Sequence, residues 1–65
     1  MQNSPVPSIR VLRCFEVIEK VKISKTHIYR LINQGKFPKP TKISERISVW
    51  NEHEIDAWLA AKFAA

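Results

Sequence analysis

The segment from Ser24 to Gly35 constrains the fold of this chain more than any other, because it carries a start and a stop signal for a helix. Ser24 is a good N-cap, since its hydroxyl can accept from the free amides of the first turn. Gly35 tolerates the left-handed conformation that commonly ends a helix. Between them, apolar residues recur at helical spacing, at Ile28, Leu31 and Ile32. The sequence therefore predicts an amphipathic helix with one apolar face.

The opposite face of this predicted helix carries Thr26, Arg30 and Asn33, with Tyr29 on its flank. It offers one permanent cation, two side chains suited to base edges or phosphates, and a phenol. That composition is typical of a helix that lies in a DNA major groove. The alternative is an ordinary amphipathic helix with a solvated polar face, and this segment alone does not decide between the two.

The length and the cysteine content narrow the class of protein. A chain of 65 residues forms at most one domain, of marginal stability. Cys14 is the only cysteine, so no disulfide framework is available, and a single thiol without a secretion signal fits a reducing cytoplasm. No apolar run approaches the ~18 residues of a membrane span. We expect a cytoplasmic protein with a disordered lead-in over residues 1–10, one domain over residues 11–65, and no membrane partner.

The charge is positive and unevenly distributed. The net charge is +5 and the pI is about 9.8. Ten of the eleven cations lie between Arg10 and Arg46, where only three carboxylates oppose them, whereas residues 52–65 hold three carboxylates and one lysine. One side of the molecule is therefore expected to be basic. A basic face favours a polyanion such as nucleic acid, or an anionic membrane surface; the alternative is a generic basic protein.

A second helix is predicted ahead of Ser24, because Leu12, Phe15, Ile18 and Val21 are spaced as one helical stripe, with Val17 beside them. We expect an ion pair from Glu16 to Lys20 on it. Two helices joined by so short a turn form a helix-turn-helix, in which the second helix is the reader.

A hairpin and a last helix complete the predicted order. Residues 41–44 and 47–50 have strand propensity and flank a turn at Glu45 and Arg46. We expect Phe37, Ile43 and Trp50 to pack this hairpin on the helices. Asn51 is predicted to cap a helix from residue 52 to about residue 62, and the buried stripe of that helix consists of Ile55, Trp58 and Leu59. The predicted class is mainly α with a small β-hairpin (α+β), in the order helix-helix-hairpin-helix.

Short motifs run through the chain from about Leu12 to Lys62. They are Glu16-Val17, Ile23-Ser24, residues 28–32, residues 35–40, Lys42, Arg46, Trp50 and residues 54–59. Together they closely resemble the AlpA family of prophage regulators, which is similar to the wider group of excisionase and MerR-type winged helices. The resemblance implies a winged helix-turn-helix protein, encoded by a prophage or integrated element, that binds DNA. Many relatives activate integrase genes or act as recombination directionality factors that promote excision.

Three positions depart from the family pattern. Lys22 stands in the turn before the second helix, where the family often has glycine, and a left-handed lysine costs of order 1 kcal/mol. His27 stands where a small residue or threonine commonly precedes the Ile-Tyr pair, in a region where the family contacts DNA. Lys20 stands where an apolar residue usually ends the first helix.

Several candidate contacts keep two interpretations. Arg30 either bonds a guanine edge or contacts phosphate or solvent, and Tyr29 either donates to a phosphate or packs as a partly buried ring. His27 contacts DNA or lies at its flank. Arg46 at the hairpin tip is expected to contact the minor groove or the backbone as a wing. The candidate DNA-binding residues are Ser24, Lys25, Thr26, His27, Tyr29, Arg30, Asn33, Lys36, Lys39, Lys42 and Arg46.

No residue pattern in the sequence indicates catalysis, a cofactor or a metal. The spacings of Cys14, His27 and His53 fit no zinc pattern, and Gly35 is the only glycine, so there is no phosphate-binding glycine loop. We therefore expect no enzyme activity, no cofactor and no metal.

The expected partner is double-stranded DNA from a promoter or attachment region, with integrase or further copies of the chain, bound cooperatively on repeated sites, as additional candidates. The sequence does not separate a transcription regulator from an excisionase. The alternative function is a protein-interaction module that inhibits or recruits integrase or a response regulator through the acidic last helix.

Overall fold

A computed structural model describes residues 9–64, which form three helices and one three-stranded antiparallel sheet. This confirms the predicted α+β class and adds one strand to the predicted order. The predicted lead-in, residues 1–10, lies outside the described residues apart from Ile9 and Arg10. Within the described residues, none of the helices is both long and apolar enough to span a membrane. The elements are β1 (Val11–Leu12), α1 (Cys14–Val21), α2 (Lys25–Asn33), β2 (Thr41–Ser44), β3 (Ile47–Asn51) and α3 (Glu52–Ala64).

Helix α1 begins later than the periodicity predicted, and its buried face differs from the predicted one. Leu12 pairs with Trp50 in the sheet and is not helical. The face that meets the core therefore runs through Cys14, Val17, Ile18 and Val21, of which Val17 is completely buried. The prediction that Phe15 belongs to this stripe is wrong, because 67% of Phe15 is exposed.

The connection between α1 and α2 is three residues long. Lys22 takes the left-handed conformation, at φ 61° and ψ 37°, and its N–H donates to the carbonyl of Ile18 at 2.8 Å. Ile23 packs against the core at this corner. The hydroxyl of Ser24 accepts from the N–H of His27 at 3.2 Å, which confirms the predicted N-cap. The turn is therefore fixed at both ends by local hydrogen bonds.

Helix α2 ends at Asn33, and Gly35, two residues later, takes the predicted left-handed conformation with φ +71°. The N–H of Gly35 donates to the carbonyl of Ile32 at 3.0 Å, and the N–H of Lys36 donates to the carbonyl of Leu31 at 2.8 Å. These two bonds form a Schellman motif, which satisfies the last carbonyls of the helix. Ile28 is completely buried, and Leu31 and Ile32 pack beside it, so the predicted apolar face is confirmed.

Strand β3 lies at the centre of the sheet, between β1 and β2. The hairpin of β2 and β3 turns at residues 45–46, as predicted. Its register pairs Lys42 with Ser48 and Ser44 with Ile47, so an irregularity leaves Ile43 without a partner. The prediction that Ile43 packs on the helices is wrong, because 61% of Ile43 is exposed at this irregularity.

The two tryptophans hold the loop that follows α2. Trp50 is 1% exposed, and its indole N–H donates to the carbonyl of Pro38 at 2.9 Å. The indole N–H of Trp58 donates to the carbonyl of Lys36 at 2.7 Å, and its ring meets Phe37 edge-on at 4.7 Å. Because Trp50 lies on β3 and Trp58 on α3, these two hydrogen bonds connect the loop to both elements. The core cluster consists of Val17, Val21, Ile28, Phe37, Trp50 and Ile55.

Helix α3 is joined to α1 through charge. Asn51 caps α3 as predicted, since its side-chain oxygen accepts from the N–H of His53 at 2.8 Å. The ammonium of Lys20 lies 2.7 Å from Asp56 and 2.9 Å from Glu52. The predicted pair between Glu16 and Lys20 is therefore wrong. The Glu16 carboxylate instead accepts from the backbone N–H of Arg13, at 2.7 Å, where α1 begins.

Candidate nucleic-acid interface

The outward face of α2 is polar and exposed along its whole length. Because Ile28 fixes the opposite face in the core, Thr26, Arg30 and Asn33 point away from the protein. No aspartate or glutamate occurs between residues 20 and 44. This face therefore combines one guanidinium, a hydroxyl and an amide with no acidic neighbour on its own helix.

The structure leaves all eleven predicted site residues exposed and distributes them over α2, the following loop and the hairpin. Ser24 uses its hydroxyl as the cap of α2, so its role in the fold is structural. Lys36 contributes its carbonyl to the bond with Trp58 and leaves its ammonium in solvent. The exposed residues are Ser24, Lys25, Thr26, His27, Tyr29, Arg30, Asn33, Lys36, Lys39, Lys42 and Arg46.

A groove of about 420 Å³ brings part of this set together. Lys25 and Tyr29 line it from α2, and Arg46 lines it from the hairpin turn. The other residues that line it are Arg13, Cys14, Phe15, Ile18, Ser48 and Trp50. The groove therefore lies where α1, α2 and the hairpin meet, and it joins the start of α2 to the tip of the hairpin.

Tyr29 packs as a partly buried ring, which is one of its two predicted roles, and its contact with a phosphate stays a prediction. Its ring meets Trp50 edge-on with the centroids 6.2 Å apart, while 37% of the residue remains exposed. Partial burial raises the pKa of the Tyr29 phenol, with a smaller contribution from Cys14. The phenol therefore remains protonated at neutral pH, where it can donate a hydrogen bond to an acceptor in the groove.

The sequence prediction missed two residues of this groove, Arg13 and Phe15. Phe15 has helical spacing with Ile18 and was therefore placed in the core. Arg13 precedes α1 and carried no motif of its own. A helical stripe centred on Val17 places Phe15 outside, but the spacing of Phe15 and Ile18 alone does not distinguish that stripe from the predicted one.

In the part of the chain that the structure describes, the cations that line the groove have no carboxylate partner, whereas some other cations form ion pairs. Within residues 9–64, the ion pairs involve Arg10, Lys20 and Lys22. The three cations of the groove, Arg13, Lys25 and Arg46, form none of these pairs, and no carboxylate lines the groove. The pKa of Lys20 is raised by its hydrogen bond to Asp56 and, to a smaller extent, by its hydrogen bond to Glu52. Lys20 therefore joins two helices and is not available to a ligand of the groove.

Within the same described residues, no three histidine, cysteine, aspartate or glutamate side chains lie close enough together to hold a metal ion. The candidate site consists of exposed donors and cations, and these groups bind anions and hydrogen-bond acceptors.

The fold and the groove define a small basic α+β domain that presents one polar helix face beside a hairpin. The chain belongs to the AlpA family: the family described as prophage CP4-57 regulatory protein (AlpA) matches residues 10–63. The chain is also 35% identical over 63 residues to uncharacterized protein ORF88 of Enterobacteria phage P4, over 92% of this chain and 72% of that relative. No solved structure matches the chain. The resemblance seen in the sequence is thus confirmed at the level of the family.

Proposed function

We propose that this protein is a winged helix-turn-helix regulator that binds double-stranded DNA of a prophage or integrated element. The observation that carries the proposal is the groove in which Lys25 and Tyr29 of α2 meet Arg46 of the hairpin. A helix that reads DNA needs a phosphate contact at its side to fix its register, because phosphate contacts position a protein and base contacts specify the sequence. Membership of a prophage regulatory family supports the same function.

In the proposed complex, α2 enters the major groove with its outward face against the base edges. The major groove is wide enough for an α-helix. Arg30 bonds a guanine edge, and Thr26, His27 and Asn33 contact neighbouring bases or phosphates. The loop that follows α2 presents Lys36 and Lys39 to the backbone, and the two indole bonds described above hold that loop in place.

The hairpin acts as the wing in this proposal. Arg46, in the hairpin turn, lines the groove of the protein, and Lys42 lies exposed on β2. A narrow, A·T-rich minor groove has enhanced negative potential, which attracts arginine. Arg46 therefore contacts the flanking minor groove or its phosphates, while α2 reads the centre of the site.

Selection of bound duplexes from a randomised pool, followed by mobility-shift assays at several salt concentrations, tests the proposal. If about four to six phosphates are contacted, the plot of log K against log salt has a slope of roughly −0.9 per phosphate. Arg30→Ala should weaken binding by ~1–3 kcal/mol and relax specificity at one position. Arg46→Ala should weaken binding to all sequences and remove a preference for flanking A·T tracts. A flat salt dependence would contradict DNA binding.

Promoter activation and excision use the same DNA-binding surface, so they need a test in cells. Deletion of the gene, followed by measurement of the integrase transcript and of the excised circular element, separates the two roles. Loss of the transcript indicates an activator, whereas loss of the circle at a constant transcript level indicates a recombination directionality factor.

One observation favours the second candidate, a protein-interaction module. Phe63, at the end of α3, is 85% exposed. The acidity of this helix favours it less, because Glu52 and Asp56 are paired with Lys20. Three results together would support this candidate against the first. The wild-type chain would bind purified integrase, Phe63→Ser would lose that binding, and the wild-type chain would not bind DNA.

A further inference from the structure

We infer that the groove at the junction of α1, α2 and the hairpin seats one sugar-phosphate unit of the DNA backbone, and that Arg13 and Phe15 contact it directly. This inference rests on the proposed function and adds the first turn of α1 to the DNA-binding surface. The ligand is a phosphodiester with its attached deoxyribose. The groove volume of about 420 Å³ belongs to an open surface depression that a strand of DNA backbone can cross.

The charge of the groove is suited to a phosphate. Arg13 directly precedes α1, Lys25 begins α2 and Arg46 lies in the hairpin turn, and all three line the same depression. None of them forms an ion pair within residues 9–64, and no carboxylate lines the groove. Three cations without an internal partner repel one another, and an anion between them relieves that repulsion. The protonated phenol of Tyr29 adds a donor at the same place.

The apolar part of the groove is suited to the sugar. Phe15 is 67% exposed although it is a large aromatic residue, and it lines the groove beside the cations. Trp50 lies at the buried end of the groove, where it is 1% exposed. A deoxyribose carries C–H groups that pack on an aromatic ring while its phosphate reaches the rim. This arrangement accounts for an exposed phenylalanine that the core does not need.

A second surface depression provides the contrast. It is lined by Ile9, Arg10, Asn51, Glu52, His53 and Asp56. Its arginine, Arg10, lies 3.9 Å from the carboxylate of Glu52, so the cation there is opposed by acids. Arg10 and Arg13 carry the same charge three residues apart, but only Arg13 lines a groove without a carboxylate. Arg10 is therefore a matched control for Arg13.

The test compares Arg13→Ala with Arg10→Ala on the duplex obtained from the selection. Arg13→Ala should reduce the magnitude of the salt slope by up to about 0.9, because it removes one of the three cations around the phosphate, and Arg10→Ala should leave the slope unchanged. Phe15→Ala should weaken binding without changing the slope, since it removes an apolar contact. The backbone groups of Arg13 that begin α1 are present in alanine as well, so the variant should fold; a circular dichroism melt checks this.

Replacement of single phosphates in the duplex by uncharged methylphosphonates locates the contact. Neutralisation of the phosphate at one backbone position should cost Arg13→Ala less affinity than it costs the wild-type chain, because Lys25 and Arg46 still face that position in the variant. If Arg13→Ala has the slope and the methylphosphonate profile of the wild type, the groove does not seat the backbone. That result overturns this inference alone, because wild-type binding and the effects of Arg30→Ala remain. Absence of DNA binding by the wild-type chain overturns the proposed function instead.

Discussion

Cations on the two sides of helix α1 differ in whether carboxylates pair with them. On the side toward α3, which we call the α3 side, Lys20 lies 2.7 Å from Asp56 and 2.9 Å from Glu52. On the side toward the hairpin, which we call the groove side, Arg13 lines a depression that contains no carboxylate. Net charge alone therefore does not indicate a binding surface. The tertiary partners decide which cations belong to the fold and which are available to a polyanion.

Removal of Trp58, the aromatic residue by which α3 holds the loop after α2, should have the largest effect. Trp58 meets Phe37 edge-on and donates to the carbonyl of Lys36. We expect Trp58→Ala to lower the free energy of unfolding by ~3 kcal/mol, a large part of the stability of so small a domain. Thermal and urea melts measure this loss. Trp58→Phe is the control, since it keeps the ring and loses ~1 kcal/mol with the hydrogen bond. An unchanged melt for Trp58→Ala would mean that α3 does not anchor the loop.

Lys22 and Gly35, the left-handed residues after α1 and α2, are the next largest contributions to test. Their substitution changes neither the ion pairs of Lys20 nor the cations of the groove. Gly35→Ala should destabilise the domain by ~1 kcal/mol, because alanine disfavours the φ of +71° found there. An added methyl group would meet nothing within 4 Å, so the cost is conformational and not steric. A urea midpoint measures it. A neutral result would show that the end of α2 relaxes to another conformation.

Lys22→Gly should have the opposite sign. Lys22 has φ 61°, and glycine removes the cost of the left-handed conformation, so the domain should gain up to ~1 kcal/mol. Lys22→Ala is the matched control. It also loses the exposed ion pair with Glu19, which contributes little, but it keeps the strained backbone. If both variants melt alike, the turn does not store the expected strain. DNA binding by Lys22→Gly should equal that of the wild type.

The ion pairs of the α3 side should have a still smaller effect, because Lys20 is partly open to solvent. Lys20→Met should lower the Tm at pH 7. Hydrogen bonds to Asp56 and Glu52 raise the pKa of Lys20 above its ordinary value of 10.5. The lysine therefore stabilises the fold fully below pH 10.5 and loses this contribution as the pH rises through its raised folded-state pKa. The Tm difference between wild type and Lys20→Met should shrink there. A difference independent of pH would assign the effect to packing.

The cations of the groove side should have the smallest effect on stability. Arg13→Ala and Arg46→Ala remove exposed side chains without an ion pair, so their free energies of unfolding should stay within about 0.5 kcal/mol of the wild type. Urea melts of both variants, beside Lys20→Met, measure the contrast directly. A clear stabilisation by either substitution would contradict this expectation. It would show that repulsion among the cations of the groove destabilises the fold despite screening by solvent and salt.

The local signals of the sequence determined the elements that present the site. Ser24 and Gly35 fixed the bounds of α2, because a cap is a hydrogen bond or a backbone conformation within a few residues of the helix end. Asn51 located the start of α3 in the same way. The exposure of Thr26, Arg30 and Asn33 followed from the helical period once α2 was placed.

How those elements meet depends on contacts between residues far apart in the sequence. Leu12 pairs with Trp50 in the sheet and is not part of α1, and Phe15 lies outside the core. Lys20 pairs with Glu52, which lies 32 residues later in the chain on α3, and does not pair with a residue of its own helix. The groove that joins Arg13, Lys25 and Arg46 depends on the same long-range packing. A periodic pattern records which residues share a face of one element, but it does not record which other element that face will meet.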